Sequence, residues 1–191
     1  WVAQYTQMTI MYKPIKNADA DAFVKDARSR EQAHLVPTDE SGVRQIFKAL
    51  KQGGTTVILP DHTPHTGGDL VDYFGIPLAS SSLSAKLIQK TKARSVLLYA
   101  IRCEDSDQFD LFIEPISEDI YQGTAIQGTQ VIHQTLEHLI KRYPKHYHWS
   151  YKRFKANPQL KNLYNIPHKE AIQLITHVRT THLAHQPNIL D

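Results

Sequence analysis

The chain of 191 residues reads as an α/β domain, a mostly parallel or mixed sheet flanked by helices. Three observations point there. Short β-rich runs alternate with segments of helical period through the first half of the chain. Two strands then meet at an acidic turn, as in a hairpin. A long helix with one apolar stripe follows.

Taken in order, YTQMTIMY (5–12) is rich in β-formers and ends at Lys13-Pro14, a strand running into a loop. Residues 17–33 predict a helix, with Asn17 or Asp19 as cap and acids in its first turn. Ala33–Val36 is a short strand stopped by Pro37. Val43, Ile46, Phe47 and Leu50 fall at i, i+3, i+4 and i+7 on the next helix, which Gly53-Gly54 ends. Thr55–Leu59 predicts a buried strand, and Leu83, Leu87 and Ile88 mark another helix. Residues 94–103 and 108–115 predict strands joined by EDSD. Ile132, Leu136, Leu139, Ile140 and Tyr143 lie on a long helix that stops before Pro144, and one more helix is expected near 168–180.

At 41% hydrophobic and 21% charged, the composition suits one domain with a substantial core. The longest apolar run, 95–101, has the length of a strand, far short of the roughly 20 residues of a membrane span. A net charge of +3 is too small for a nucleic-acid field but suffices for a local basic patch. The single cysteine, Cys103, forms no internal disulfide, fits a reducing compartment and reads as a small core residue. The chain opens WVAQYTQ, without initiator methionine or signal-peptide pattern, and so reads as a piece of something longer.

Two stretches invite chemistry. In VILPDHTPHTGGDLVDYFG (57–75), Asp61, His62 and His65 are legitimate metal ligands and would suit a metal-dependent hydrolase. Their spacing matches no tight helical ligand motif, and the proline between the histidines fixes a loop, so no metal or other cofactor is expected. There is no GxSxG elbow, and Ser80-Ser81-Ser82 precedes an apolar face where helix capping is the simpler role. In YHWSYKRFK (147–155), aromatics interleave with cations. The stretch could anchor at a membrane interface, contact phosphates or bind an acidic partner, or merely seal a sheet edge.

Five segments in order resemble a family. MYKPIKN (11–17) resembles a segment written YRPxKN, and Asp26-Ala-Arg28-Ser-Arg30 the arginine-bearing helix end after it. GVRQIFKALKQGGTTVILPDH (42–62) is similar to GVRxLLKALKxGxxVxxxPDQ, DLVDYFGIPLASSSLSAKL (69–87) to VxxFFGxPAxTxxxxAxL, and HYHWSYKRFK (146–155) to QYxWxHRRFK. The family is the late acyltransferases of lipid A biosynthesis, within the lysophospholipid acyltransferase superfamily. The resemblance covers roughly residues 5–156. It gives an acyltransferase domain over 1–156 and leaves 157–191 as a polar tail with one helix.

The resemblance implies transfer of a fatty acyl chain from acyl carrier protein to a hydroxyl of a lipid A precursor, at the cytoplasmic face of the inner membrane, without a metal. The family's His-x4-Asp/Glu pair, base and orienting carboxylate, would lie before Trp1, and no histidine of the chain supplies a substitute in the right place. The chain by itself is therefore expected to be inactive, and an inactive homologue that binds membrane or carrier protein is the rival. By the same resemblance Lys13, Arg28 and Arg30 would bind substrate phosphate. Asp61 would be a supporting active-site residue in a loop running into the Phe74-Gly75 turn, and Ile76 to Leu87 would line the acyl groove. Trp149, Lys152 and Arg153 would meet the carrier protein or the membrane surface, while nucleic acid is not an expected partner.

Overall fold

The computed structural model describes residues 2–29, 33–64 and 67–184. Arg30 and His65 lie outside the described residues. The chain divides into two compact units, one running to Leu59 and including Lys90–Ala93, the other comprising Pro60–Gln89 and the residues from Arg94 on.

In the first unit, β1 (Met8–Tyr12) pairs in parallel with β2 (Ala33–Pro37), in register from Met8–Ala33 to Tyr12–Pro37. The crossover is α1 (Ala18–Arg28), begun by the Asn17 side chain accepting from the Ala20 amide. After β2, the Asp39 carboxylate accepts from the Ser41 and Gly42 amides and starts α2 (Glu40–Lys51). Ile46 on its apolar face is fully buried, with Val36 and Met8 beside it in this unit's core. Gly42 lets α2 lie on the end of β2, since a Cβ there would collide with the Pro37 carbonyl. The strand expected over Thr55–Leu59 reduces to one parallel bridge, Met8 to Thr55. Thr9 donates to the Thr55 carbonyl at 2.8 Å and Thr55 to the Gln7 carbonyl at 3.0 Å. Beyond it Val57 and Leu59 stay exposed.

The second unit holds two antiparallel hairpins. β3 (Asp69–Tyr73) and β4 (Ile76–Ser80) were expected only as a loop and a turn. Their two-residue connection has Phe74 at φ 54 and Gly75 at φ 74, the both-positive geometry of a type I′ turn. α3 (Leu83–Thr91) follows, with the Ser81 hydroxyl accepting from the Leu83 amide at 3.3 Å. β5 (Val96–Arg102) and β6 (Phe109–Pro115) form the second hairpin, and Cys103, half-buried, donates its amide to the Gln108 carbonyl just past it.

α4 (Ala125–Arg142) opens with a reciprocal Thr124–Gln127 capping box and buries Gly128, Ile132, Leu136 and Ile140 at intervals of four. Its next face takes over the edge of β3. Gln130 brackets Asp72, accepting from its amide at 3.1 Å and donating to its carbonyl at 3.3 Å. His133 Nδ1 lies 2.8 Å from the same carbonyl, and the Phe74 amide donates to Glu137 at 2.6 Å. Edge-strand groups that would otherwise lack partners are thereby satisfied by side chains one helical turn apart.

The α/β class thus holds, with three two-stranded sheets among the described residues, of which only β1–β2 is parallel. The core of the second unit joins Tyr73, Ile76, Leu78 and Ala85 to the α4 stripe. Leu160, Leu163 and Val178, the last on α5 (His168–Ala184), complete it. Ile76, Leu78, Ala85 and Leu87 are therefore core residues, not the walls of an open groove.

Candidate functional site

Asp61 sits in the turn after Pro60, at the head of a polar network inside the second unit. Its Oδ2 accepts from the Tyr147 phenol at 3.0 Å, and the Tyr73 phenol donates to the Tyr147 oxygen at 3.4 Å. Tyr73 comes from the end of β3 and is buried; burial pushes its phenol up to about 12. Burial raises the Tyr147 phenol as well, and the Asp61 carboxylate beside it adds to the rise. Both phenols are fixed as neutral donors at physiological pH. Two hydroxyls in series thus end on one carboxylate.

Arg153 enters the network from the other side. The sequence places it on a docking surface, but it is 3% exposed. Its Nη2 donates to the Ser80 hydroxyl at 2.7 Å, and its Nη1 to the Ala79 carbonyl at 3.1 Å and the Thr63 hydroxyl at 3.3 Å. The guanidinium lies 5.8 Å from the Tyr73 ring centroid. Ser80 in turn donates to the Leu78 carbonyl, so its hydroxyl is part of the arginine's seat and does not cap α3. Desolvation lowers the Arg153 pKa, yet a guanidinium keeps its proton, so a full positive charge stays inside the unit. The two loops that meet here are pinned again where the Thr63 amide donates to the Tyr151 phenol at 2.8 Å and the His62 ring stacks on Tyr151 at 4.7 Å.

His133 borders the same network. It is fully buried, its ring edge-on to Tyr73 at 5.1 Å. The Asp72 carbonyl can only accept, so Nδ1 carries the proton and Nε2 the lone pair. Burial holds this imidazole below its ordinary value.

Of the residues singled out from sequence, Asp61 and Arg153 come together around Tyr73 and Tyr147. Trp149 reaches them through an edge-on contact with the Tyr147 ring at 4.9 Å, its indole N–H held by the Pro144 carbonyl at 2.8 Å while half of it stays exposed. Lys152 stands apart, exposed, with its ammonium 5.7 Å from the Tyr164 ring centroid. Lys13 and Arg28 belong to the first unit, where Arg28 lies 5.5 Å from the centroid of the Tyr12 ring. Of the residues weighed as metal ligands, Asp61 is bonded to Tyr147 and His62 stacks on Tyr151.

Tyr73, Tyr147 and His133 were not picked out as site residues. A signal existed for one of them, since the HYHW segment carries Tyr147, the hydrogen-bond partner of Asp61. One His-x4-Asp spacing does occur, at His34 and Asp39. Asp39 caps α2 through Ser41 and Gly42, and the His34 ring faces Gln45 at 3.4 Å, so these two side chains are engaged in supporting the helix.

No curated protein matches the chain. The family model for bacterial lipid A biosynthesis acyltransferases matches residues 1–156, a span that holds Asp61, Tyr73, His133, Tyr147 and Arg153. The chain belongs to the bacterial lipid A biosynthesis acyltransferase family.

Proposed function

We propose that the protein transfers a fatty acyl chain from acyl carrier protein to a hydroxyl of the lipid A precursor, at the cytoplasmic face of the inner membrane. The observation that carries this reading is the family match over residues 1–156 together with the network that fixes Asp61 within it. In the reaction the histidine of the family's His-x4-Asp/Glu pair takes the proton of the acceptor hydroxyl. The oxygen attacks the thioester carbonyl, the C–S bond breaks, and the carrier's thiol leaves with a proton. Asp61 serves as wall and anchor of the site, with Tyr147 and Arg153 holding its loop in place.

The donor is an acidic protein, and a basic face suits it. With Arg153 buried, docking of the donor is assigned to the exposed lysines of residues 141–155, namely Lys141, Lys145, Lys152 and Lys155. No helix among the described residues is long and apolar enough to cross a membrane. Contact with the lipid surface is assigned to the half-exposed, hydrogen-bonded Trp149, an indole of the kind that sits at headgroup level.

The test is the initial rate of transfer from acyl carrier protein by the full-length enzyme, measured against ionic strength. Lys145→Glu with Lys152→Glu should slow transfer on the order of tenfold at low salt, with the difference shrinking as salt screens the surface. A rate indifferent to both salt and the double reversal contradicts the docking assignment.

A further inference from the structure

We infer that Asp21 is a positioning residue for the phosphorylated headgroup of the acceptor lipid, holding the loop between β1 and α1 in the shape that presents its cations. This rests on the function proposed above. The loop, Lys13 to Lys16, carries two lysines and no acid, with Ile15 exposed between them. A cation pair flanking an apolar side chain is suited to a phosphate borne on a lipid, where charge and hydrocarbon lie side by side.

The loop from Lys13 to Lys16 is exposed and no residue of α1 is buried, so burial does not fix it. The Asp21 carboxylate holds it instead. Oδ1 accepts from the Tyr12 phenol at 2.6 Å and from the Ile15 amide at 2.7 Å, while Oδ2 pairs with Lys25 at 3.0 Å. Standing in the first turn of α1, one side chain therefore ties together the buried last residue of β1, the middle of the loop and Lys25 in the last turn of α1. Those bonds, the Tyr12 phenol first among them, hold the carboxyl down at about 2, so it remains an anion throughout the physiological range.

The fixed Tyr12 ring then serves as a platform. The Arg28 guanidinium lies 5.5 Å and the Lys25 ammonium 5.8 Å from its centroid. Stacked in this way, an arginine loses side-chain freedom while its fork remains available to bind phosphate. Asp21 is thus a support that acts through Ile15, Tyr12 and Lys25 and does not itself touch substrate.

The test uses the full-length enzyme, with acyl carrier protein as donor and two acceptors, a phosphorylated glucosamine lipid and the same lipid with its phosphate removed. Asp21→Ala removes both hydrogen bonds to the loop from a helix that buries no residue. It should raise KM for the phosphorylated acceptor about tenfold, leave KM for the donor and kcat within about twofold, and erase the preference for the phosphorylated acceptor. Tyr12→Phe keeps the ring and removes one hydrogen bond, and should move the same KM in the same direction by a smaller factor. A thermal midpoint that stays above the assay temperature in both variants separates this from a folding defect. Equal changes in both KM values, or no change in either, overturn the inference. A wild-type enzyme that acylates both acceptors equally well contradicts the phosphate assignment itself, and the inference falls with it, an outcome visible before any variant is made.

Discussion

Tyr147 donates a hydrogen bond to Asp61 across 86 positions of the chain, tying the segment after α4 to the turn that begins at Pro60. With Tyr73 behind it, the pair converts a half-buried carboxylate in a loop into a fixed one. Replacing Tyr147 by Phe keeps the ring against Trp149 and removes the donor. Such a variant should lose about 1–3 kcal/mol of stability, because Asp61 loses its donor and the buried Tyr73 phenol its acceptor, and kcat/KM should fall by on the order of tenfold. Steady-state kinetics alongside urea unfolding would check both. A variant with full activity would mean that the orientation of Asp61 is irrelevant to transfer.

Arg153 is a buried cation held by one carbonyl and two hydroxyls, and lysine cannot reproduce that fork. Arg153→Lys should cost about 2 kcal/mol, within the range for hydrogen bonds to charged groups, whereas Lys152→Ala should cost less than about 0.5 kcal/mol as a surface change. Denaturant midpoints of the two variants decide. Equal, small shifts would put Arg153 back on the surface.

His133 supplies a pH dependence. Its folded pKa is depressed, chiefly by burial, with the Arg153 charge acting in the same direction and the Asp72 carbonyl, Asp72 and Asp61 opposing. The fold holds it neutral while the unfolded chain takes up a proton near pH 6.5. Its contribution to stability is therefore present in full above that value and is lost as pH falls below it. The slope approaches about 1.4 kcal/mol per pH unit at most. His133→Asn keeps a donor for the Asp72 carbonyl and cannot titrate in this range. Unfolding curves at pH 7.5 and at pH 5.5, to be compared between wild type and variant, should show the smaller loss in the variant. A loss of equal size in both would exclude His133 as its source.

Beyond the family match, Leu160 is fully buried against the core of the second unit, and Asn157 donates to the Pro77 carbonyl at 2.9 Å. Leu160→Ala should cost about 3 kcal/mol, the usual penalty for a cavity at a leucine that cannot collapse. A cost under about 0.5 kcal/mol, read by calorimetry or urea unfolding, would show that the segment after residue 156 adds nothing to this unit.

How far the sequence anticipates these features depends on how local each one is. α2 and α4 are legible from their apolar period: Val43, Ile46, Phe47 and Leu50 on one, Ile132, Leu136, Leu139 and Ile140 on the other. The β5–β6 hairpin is legible from two β-rich runs on either side of EDSD. The β3–β4 hairpin is not, because its turn is Phe-Gly where Asn-Gly is the usual signal and because Pro77 interrupts the strand pattern. Arg153 reads as a surface cation because its seat is built from Thr63, Ala79 and Ser80, more than seventy positions away. Asp61 was reachable through resemblance, whereas the phenol that holds it needed the fold.

The most direct measurement is mass spectrometry of the lipid product after the full-length protein is incubated with acyl-loaded carrier protein and the lipid A precursor. The proposed function predicts an acceptor heavier by one acyl chain in ester linkage and a matching release of free carrier thiol. An acceptor of unchanged mass, with the carrier still loaded, would contradict it.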